Sequence, residues 1–298
     1  MQRVIAEIAG RYAALDLPDA DEWLMPGVRW GRFDHALTPA FWVSQAWMSG
    51  DATPTSFQLG QSLVEEVVVC LLGGHGTPAE VGLAAAERIC QALRDTTDGI
   101  LSHDACERLL VEPLAVRGRT VRYRFARQRA KYLAGSLRGL RQIAEADLTD
   151  LELRDALCRL PGIGPKTASW IVRNRRASDK VAILDVHIVR ACQIMGVFPE
   201  RADPARHYAR LEGTFLEFCS RAHARASVVD AVMWTTMRQM SRPLLNRFVD
   251  PEPGFGFSPA ATQQEGISCQ DRAVRAATLT PARAARAAVR AGPRLIPA

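Results

Sequence analysis

Apolar residues recur at intervals of three and four along most of the chain, and runs that alternate strictly between apolar and polar positions are scarce. This spacing places apolar side chains on one face of an α-helix. The opening segment, MQRVIAEIAGRYAALD, fits the same pattern as an amphipathic helix. We therefore predict an all-α protein with helices over residues 1–15, 38–49, 57–72, 78–94, 102–111, 121–144, 149–159, 165–174, 185–196, 203–221 and 225–240.

The composition changes near residue 250. The segment PEPGFGFSPAATQQEG is rich in turn-forming residues, and residues 272–298 consist mainly of Ala, Arg and Pro. Such sequences contain too few apolar anchors to form a packed core. We expect residues 1–250 to form the folded domain and residues 251–298 to form a flexible tail.

Charge is unevenly distributed around a modest net value of +6. Residues 113–144 contain nine Arg and Lys residues, among them Arg124, Arg127 and Lys131, and no Asp or Glu. A stretch of one sign suits a polyanion such as a nucleic-acid backbone. The alternative is a solvated helix face that pairs with acidic residues elsewhere.

Other features of the composition limit the kind of protein. No apolar run reaches the eighteen or so residues that a membrane span needs, so we expect a cytoplasmic protein that does not bind membranes. The seven cysteines are widely separated, which is typical of buried reduced thiols. Because close pairs are absent from the sequence, we expect neither a zinc site nor an iron–sulfur cluster.

The segment LPGIGPKTASWIVRN, residues 160–174, joins two predicted helices through a turn rich in Gly and Pro. Such a helix-hairpin-helix, here residues 149–174, exposes backbone amides at the start of its second helix, where they bind a phosphate. We predict phosphate contacts at Gly162, Ile163, Gly164 and Thr167. The alternative is an ordinary αα-hairpin with a glycine turn. Lys166 lies where the helix dipole disfavours an ammonium group and favours a neutral amine.

A second segment, VAILDVHIVR, follows at residues 181–190 and begins the predicted catalytic segment 181–196. Asp185 stands at the start of a helix, where capping alone is a sufficient reason for an Asp. Beside a neutral amine, its carboxylate also has a chemical use. An amine attacks an electrophilic carbon, and a carboxylate stabilises positive charge that develops on a sugar ring. Lys166 and Asp185 together therefore suggest an attack on a glycosidic centre.

These two segments resemble the signature of the helix-hairpin-helix (HhH-GPD) DNA glycosylase superfamily. The sequences KTASWIVRN and VAILDVHI are most similar to those of the type-2 and archaeal GO 8-oxoguanine glycosylases. The resemblance implies two helical subdomains that flank a DNA-binding active-site groove. The chain differs from the family pattern in two ways. The four cysteines of the endonuclease III branch are missing, and the chain continues well beyond its last predicted helix.

The resemblance also implies a pocket for a base that is extruded from the DNA stack. Asp230 and Trp234 lie four residues apart, as does a similar pair in the archaeal relatives, and we assign them to this pocket. Trp42 and Gln45 are further candidates for it. The alternatives are a core Trp beside a partly buried Asp, and a surface Gln between core aromatics.

The activity implied is that of a bifunctional DNA glycosylase/AP lyase. It excises an oxidised purine, 8-oxoguanine, through a Schiff base on Lys166, and then cleaves the strand by β-elimination. No cofactor is expected, and the partner is double-stranded DNA bound by a monomer. Two alternatives remain. One is a DNA-binding module without catalytic activity, and the other is a monofunctional glycosylase that acts on another damaged base.

Overall fold

The protein is described here by a computed structural model, which covers residues 1–50, 57–74, 76–241, 243, 245 and 248. Helices dominate these residues, so the prediction of a helical fold is confirmed. The described helices are α1 Pro39–Met48, α2 Leu63–Leu72, α3 Ala79–Arg94, α4 His103–Val111, α5 Ala126–Leu140, α6 Asp150–Cys158, α7 Pro165–Arg176, α8 Val186–Met195, α9 Pro204–Arg221 and α10 Ala226–Met237, with a 3-10 turn at Glu145–Asp147.

Three small antiparallel hairpins accompany the helices. They pair β1 Gln2–Ile8 with β2 Arg11–Leu17, β3 Trp23–Met25 with β4 Val28–Arg29, and β5 Leu114–Val116 with β6 Arg119–Val121. The predicted helix over residues 1–15 is therefore wrong. Ala9 and Gly10 both have positive φ angles, of 51° and 80°, which is the geometry of a two-residue hairpin turn.

Two predicted helices begin later in the structure than in the prediction. In α2, the Ser62 side chain accepts the N–H of Glu65, so the helix starts at Leu63 rather than at residue 57. The predicted helix 121–144 is replaced by the end of β6 and by α5, which spans Ala126–Leu140. The basic stretch is thus divided between a β-hairpin and a helix.

The chain builds two hydrophobic cores. The first contains buried residues from Leu63 to Val181, which belong mainly to α2–α7. The second contains the N-terminal hairpins, α1, and residues from Ala182 onward in α8–α10. The chain therefore passes from one core to the other between Val181 and Ala182. The catalytic segment predicted from the sequence begins at this crossing.

The structure covers only some of the regions on which the composition led to predictions. The predicted tail, residues 251–298, and Cys269 lie outside the described residues. In the part of the chain that the structure covers, the cysteines are free thiols and five of the six are buried. No group of three or more His, Cys, Asp or Glu is arranged there to hold a metal ion. None of the described helices combines the length and the apolar character that a membrane crossing requires.

Candidate functional site

The helix-hairpin-helix consists of α6, the turn at residues 159–164, and α7. Thr149 and Glu152 form a reciprocal capping box at the start of α6. In the turn, Gly162 has a φ angle of 78°, and a Cβ there would lie 2.4 Å from the Tyr132 ring of α5. Position 162 thus requires glycine for two reasons, the backbone conformation and the close packing. The contact with Tyr132 fixes the turn against α5.

The start of α7 is open to solvent. Gly164 is exposed, provides no side-chain cap, and has no atom within 4 Å of the place where a Cβ would stand. Pro165 follows at the first helical position, and Thr167 is half-buried. The first amides of α7 therefore remain available to an anion.

The predicted phosphate contact at Ile163 stays a prediction, and its backbone amide already has a partner inside the turn. The N–H of Ile163 donates to the carbonyl of Leu160 at 3.2 Å, and the residue is buried. Its amide is therefore occupied inside the turn. Gly162 and Gly164 are exposed at the same turn and stay predicted phosphate contacts.

Lys166 lies at the second position of α7 and is half-buried. Within the residues that the structure describes, its ammonium group makes no salt bridge and no side-chain hydrogen bond. The helix dipole opposes a positive charge at this position, so the stability of α7 does not explain a lysine here. The position is suited to an amine that reacts.

Asp185 caps α8, and it does so with one oxygen. Its Oδ1 accepts the N–H groups of His187 at 2.8 Å and of Ile188 at 3.0 Å. Its Oδ2 makes no hydrogen bond with any other described residue. The capping role predicted from the sequence is therefore present, and the second oxygen remains free for chemistry.

Asp230 is a buried carboxylate that interacts with the segment before Asp185. It is 3% exposed, and its Oδ2 accepts the N–H of Ile183 at 3.1 Å, two residues before Asp185. Burial raises the pKa of Asp230 to about 6, while the Arg173 guanidinium acts in the opposite direction. The charge of Asp185 raises the pKa of Asp230 and that of Lys166 lowers it, so each of the two residues lies within electrostatic range of Asp230. In this structure Asp230 is a buried support for the catalytic segment, and its predicted contact with the base stays a prediction.

Arg173 was missed by sequence reasoning. It lies seven residues after Lys166, two turns further along the same face of α7. Its guanidinium stacks on the Phe57 ring at 4.6 Å, and its buried Nε has no hydrogen-bond partner among the described residues. In the sequence, Arg173 is one of three arginines within RNRR, and nothing in that pattern distinguishes it from the other two.

The three basic residues predicted to bind phosphate differ in their surroundings. Lys131 is exposed on α5, beside the Tyr132 that packs on the hairpin turn. Arg124 stacks on the Phe125 ring at 5.2 Å. Arg127 forms a salt bridge with Glu107 at 3.2 Å, so its charge is already paired. The ion pair lies at the surface, and the contact of Arg127 with phosphate stays a prediction.

The aromatic candidates for the base pocket are separated by the fold. Trp234 is 41% exposed, and the Arg238 guanidinium lies 4.4 Å from its ring. Trp42 is fully buried in the second core, so it presents no ring face to a base in this structure. Gln45, one turn further along α1, is half-buried. Of the two tryptophans, only Trp234 is placed to stack on a ligand from solvent.

Comparisons with known proteins agree on one family. Residues 58–224 match the Ogg-HhH family model, described as 8-oxoguanine DNA glycosylase. A curated relative, the 8-oxoguanine DNA glycosylase/AP lyase of Metallosphaera sedula, is 30% identical over 118 residues, which cover 38% of this chain and 57% of that protein. The chain thus spans little more than half the length of this relative.

Two solved structures are among the proteins to which this chain is similar. The Methanocaldococcus jannaschii 8-oxoguanine glycosylase/lyase, in complex with a 15mer DNA containing 8-oxoguanine, is 21% identical with a TM-score of 0.48, covering 68% of this chain and 90% of that one. The 8-oxoguanine DNA glycosylase of Thermotoga maritima is 20% identical with a TM-score of 0.47, covering 67% of this chain and 88% of that one.

Proposed function

Because the chain belongs to the Ogg-HhH family of 8-oxoguanine DNA glycosylases, whose model matches more than half of its residues, we propose that it is a bifunctional DNA glycosylase/AP lyase. Its substrate is double-stranded DNA that contains an oxidised purine, 8-oxoguanine. The name of the Metallosphaera sedula relative, 30% identical over the matched segment, supports this substrate and both activities. The chain has the two side chains that the reaction needs.

The nucleophile is Lys166. Its neutral Nζ attacks C1′ of the damaged nucleotide, the bond between C1′ and the base breaks, and the base leaves with the electron pair and takes up a proton. Loss of the amine proton and ring opening give a Schiff base between Nζ and C1′. Removal of a C2′ proton then expels the 3′ phosphate by β-elimination, and the strand is cut.

The carboxylate of Asp185 stabilises the transition state. Positive charge develops on the sugar ring as the base departs, and the Oδ2 atom of Asp185, which its cap leaves unused, provides the opposite charge. The protein interior on one side of Asp185 limits solvation, which strengthens this interaction. The amides at Gly162 and Gly164, together with Lys131, hold the DNA backbone.

The observation that carries the proposal is that Lys166, at the open start of α7, makes no described salt bridge. Only three of the 38 basic residues in the chain are lysines, at positions 131, 166 and 180, and the rest are arginines. An arginine remains protonated in proteins and cannot form an imine with C1′. In a chain so rich in arginine, a lysine that lacks a described acidic partner at an open helix N-terminus favours amine chemistry over phosphate binding.

Borohydride trapping tests the proposal on a duplex with one 8-oxoguanine. We expect a covalent adduct with the unaltered chain and none with Lys166→Gln, while the exposed Lys180 provides a matched control, since Lys180→Gln should still form the adduct. Base release without any adduct would show a monofunctional glycosylase. DNA binding without base release would show a binding module, and either result would overturn the bifunctional assignment.

A further inference from the structure

A buried carboxylate on α9 joins the two elements that bear Lys166 and Asp185. Glu212 is 5% exposed, and its Oε1 accepts two hydrogen bonds. One comes from the Ser169 hydroxyl at 3.2 Å, and the other from the Ala182 N–H at 3.0 Å. Ser169 lies one turn after Lys166 on α7, and Ala182 lies three residues before Asp185. One carboxylate oxygen of Glu212 therefore binds both the helix that carries Lys166 and the segment that leads to Asp185.

The other oxygen of Glu212 is anchored as well. Its Oε2 accepts a hydrogen bond from Nη1 of Arg154 at 2.6 Å, in a salt bridge to α6, the first helix of the hairpin motif. A charged pair with hydrogen bonds on both carboxylate oxygens holds its geometry better than one surface contact does. Glu212 thus connects α6, α7 and the catalytic segment to α9.

The segment from Ala182 to Leu184 depends on side chains for its backbone hydrogen bonds. Glu212 accepts the N–H of Ala182, Asp230 that of Ile183, and the Tyr208 hydroxyl that of Leu184 at 3.4 Å. The Tyr208 hydroxyl in turn donates to the carbonyl of Ala182 at 2.6 Å. Buried amides need partners, and here three side chains provide them in the place of a neighbouring strand. The position of this segment is therefore sensitive to each of those side chains.

We propose that Glu212 is a positioning residue, which sets the place of Asp185 relative to Lys166 by binding Ser169 and Ala182 through one carboxylate oxygen. The inference rests on the proposed function of Lys166 and Asp185. The two cores meet at the crossing between Val181 and Ala182, so packing within either core does not by itself fix this separation. Reaction at C1′ depends on it, since a displacement of about 1 Å can reduce a rate by about 100-fold.

Glu212→Gln is the primary variant, because it keeps the shape and replaces one acceptor oxygen with an NH₂ group. We expect the single-turnover rate of base excision to fall about tenfold or more, with the dissociation constant for DNA unchanged. Asp179→Asn is the matched control. The Asp179 carboxylate accepts from the same kinds of donor, a backbone N–H, a serine hydroxyl and an arginine, at Ser227 and Arg225. Asp179 contacts neither α7 nor the segment before Asp185 through these bonds.

Ser169→Ala keeps the proposal testable if Glu212→Gln does not fold. Of the hydrogen bonds to Glu212, it removes the one from α7 and leaves those from Arg154 and Ala182. We expect a lower excision rate with unchanged DNA affinity, and an effect in the double variant smaller than the product of the two single effects. Hydrogen exchange at residues 182–184 in the free protein, which does not depend on activity, should rise in Glu212→Gln and not in Asp179→Asn.

The outcomes separate the two proposals. A folded, unaltered chain that releases no base contradicts the proposed function itself. An active chain whose Glu212→Gln and Ser169→Ala variants excise as fast as Asp179→Asn overturns the positioning role alone. Rates that fall in proportion to the loss of melting temperature in all three variants would also overturn it, because Glu212 would then serve stability only.

Discussion

Replacing Asp230 with Asn should change how the stability of the fold depends on pH. Asp230 is buried, and burial raises its pKa to about 6 from an ordinary value of 3.8. The folded chain therefore binds a proton at Asp230 in a pH range where the unfolded chain has already released it. The stabilisation linked to this proton is fully present below pH 3.8 and is lost as the pH rises through about 6.

The size of this effect follows from the shift. At about 1.4 kcal/mol per pH unit, the change from 3.8 to about 6 corresponds to about 3 kcal/mol over the whole range. Most of it, about 2 kcal/mol, falls between pH 4 and pH 7. Asn does not titrate, and its amide oxygen still accepts the N–H of Ile183. Relative to the unaltered chain, the Asn variant should therefore gain about 2 kcal/mol of unfolding free energy across this range.

Urea unfolding of both proteins at several pH values between 4 and 7 measures the difference, and other titrating groups cancel in the comparison. Asp179→Asn provides a control of opposite sign. Burial acts to raise the pKa of Asp179, but hydrogen bonds from Ser227 and Arg225 outweigh it, so the pKa is lowered. That variant should be less stable than the unaltered chain at pH 7, with the gap closing toward acid. A difference for Asp230→Asn that stays constant from pH 4 to pH 7 would refute the reasoning.

Three further predictions concern the reaction with DNA and the binding of DNA. Asp185→Asn should retain the cap and nearly the same melting temperature, since Asn caps as well as Asp. It should nevertheless lower the rate of single-turnover excision by about 100-fold or more, because the carboxylate charge is lost. Excision at the original rate would show that Asp185 is only a cap. Lys131→Ala should weaken binding to damaged and undamaged duplexes equally and reduce the salt slope by about 1. Trp234→Ala should cost about 1–3 kcal/mol on damaged duplex alone, if its ring stacks on the base. An unchanged ratio of the two affinities with a lower melting temperature would place Trp234 in a structural role instead.

The helical part of the fold was predictable because long amphipathic segments repeat the same signal many times. Ten of the predicted helices have counterparts, and their errors lie at the ends, where capping by residues such as Ser62 decides the boundary. The N-terminal helix failed for a physical reason. Val4, Ile8 and Leu15 fit a helical period as well as a strand, and the short Ala9-Gly10 turn that forms the hairpin leaves a weak signal.

The candidate site was predictable only where its residues lie in one local motif. The hairpin turn, Lys166 and the Asp185 cap follow from a few consecutive residues, because turn geometry and capping are local properties. The supports of the catalytic segment are not local. Glu212 reaches Ala182 across 30 residues and Asp230 reaches Ile183 across 47. No periodicity relates residues so far apart, so a sequence without coordinates gives no signal for these contacts.

These distant supports also account for the choice of residues on α9 and α10. A buried segment of three amides without a neighbouring strand needs acceptors, and carboxylates and a phenol provide them at Glu212, Asp230 and Tyr208. Burying two carboxylates is costly, and each lies near an arginine from the first core, Arg154 for Glu212 and Arg173 for Asp230. Both arginines belong to the helix-hairpin-helix. The carboxylates that accept hydrogen bonds from the segment before Asp185 are therefore balanced by arginines of the motif that carries Lys166.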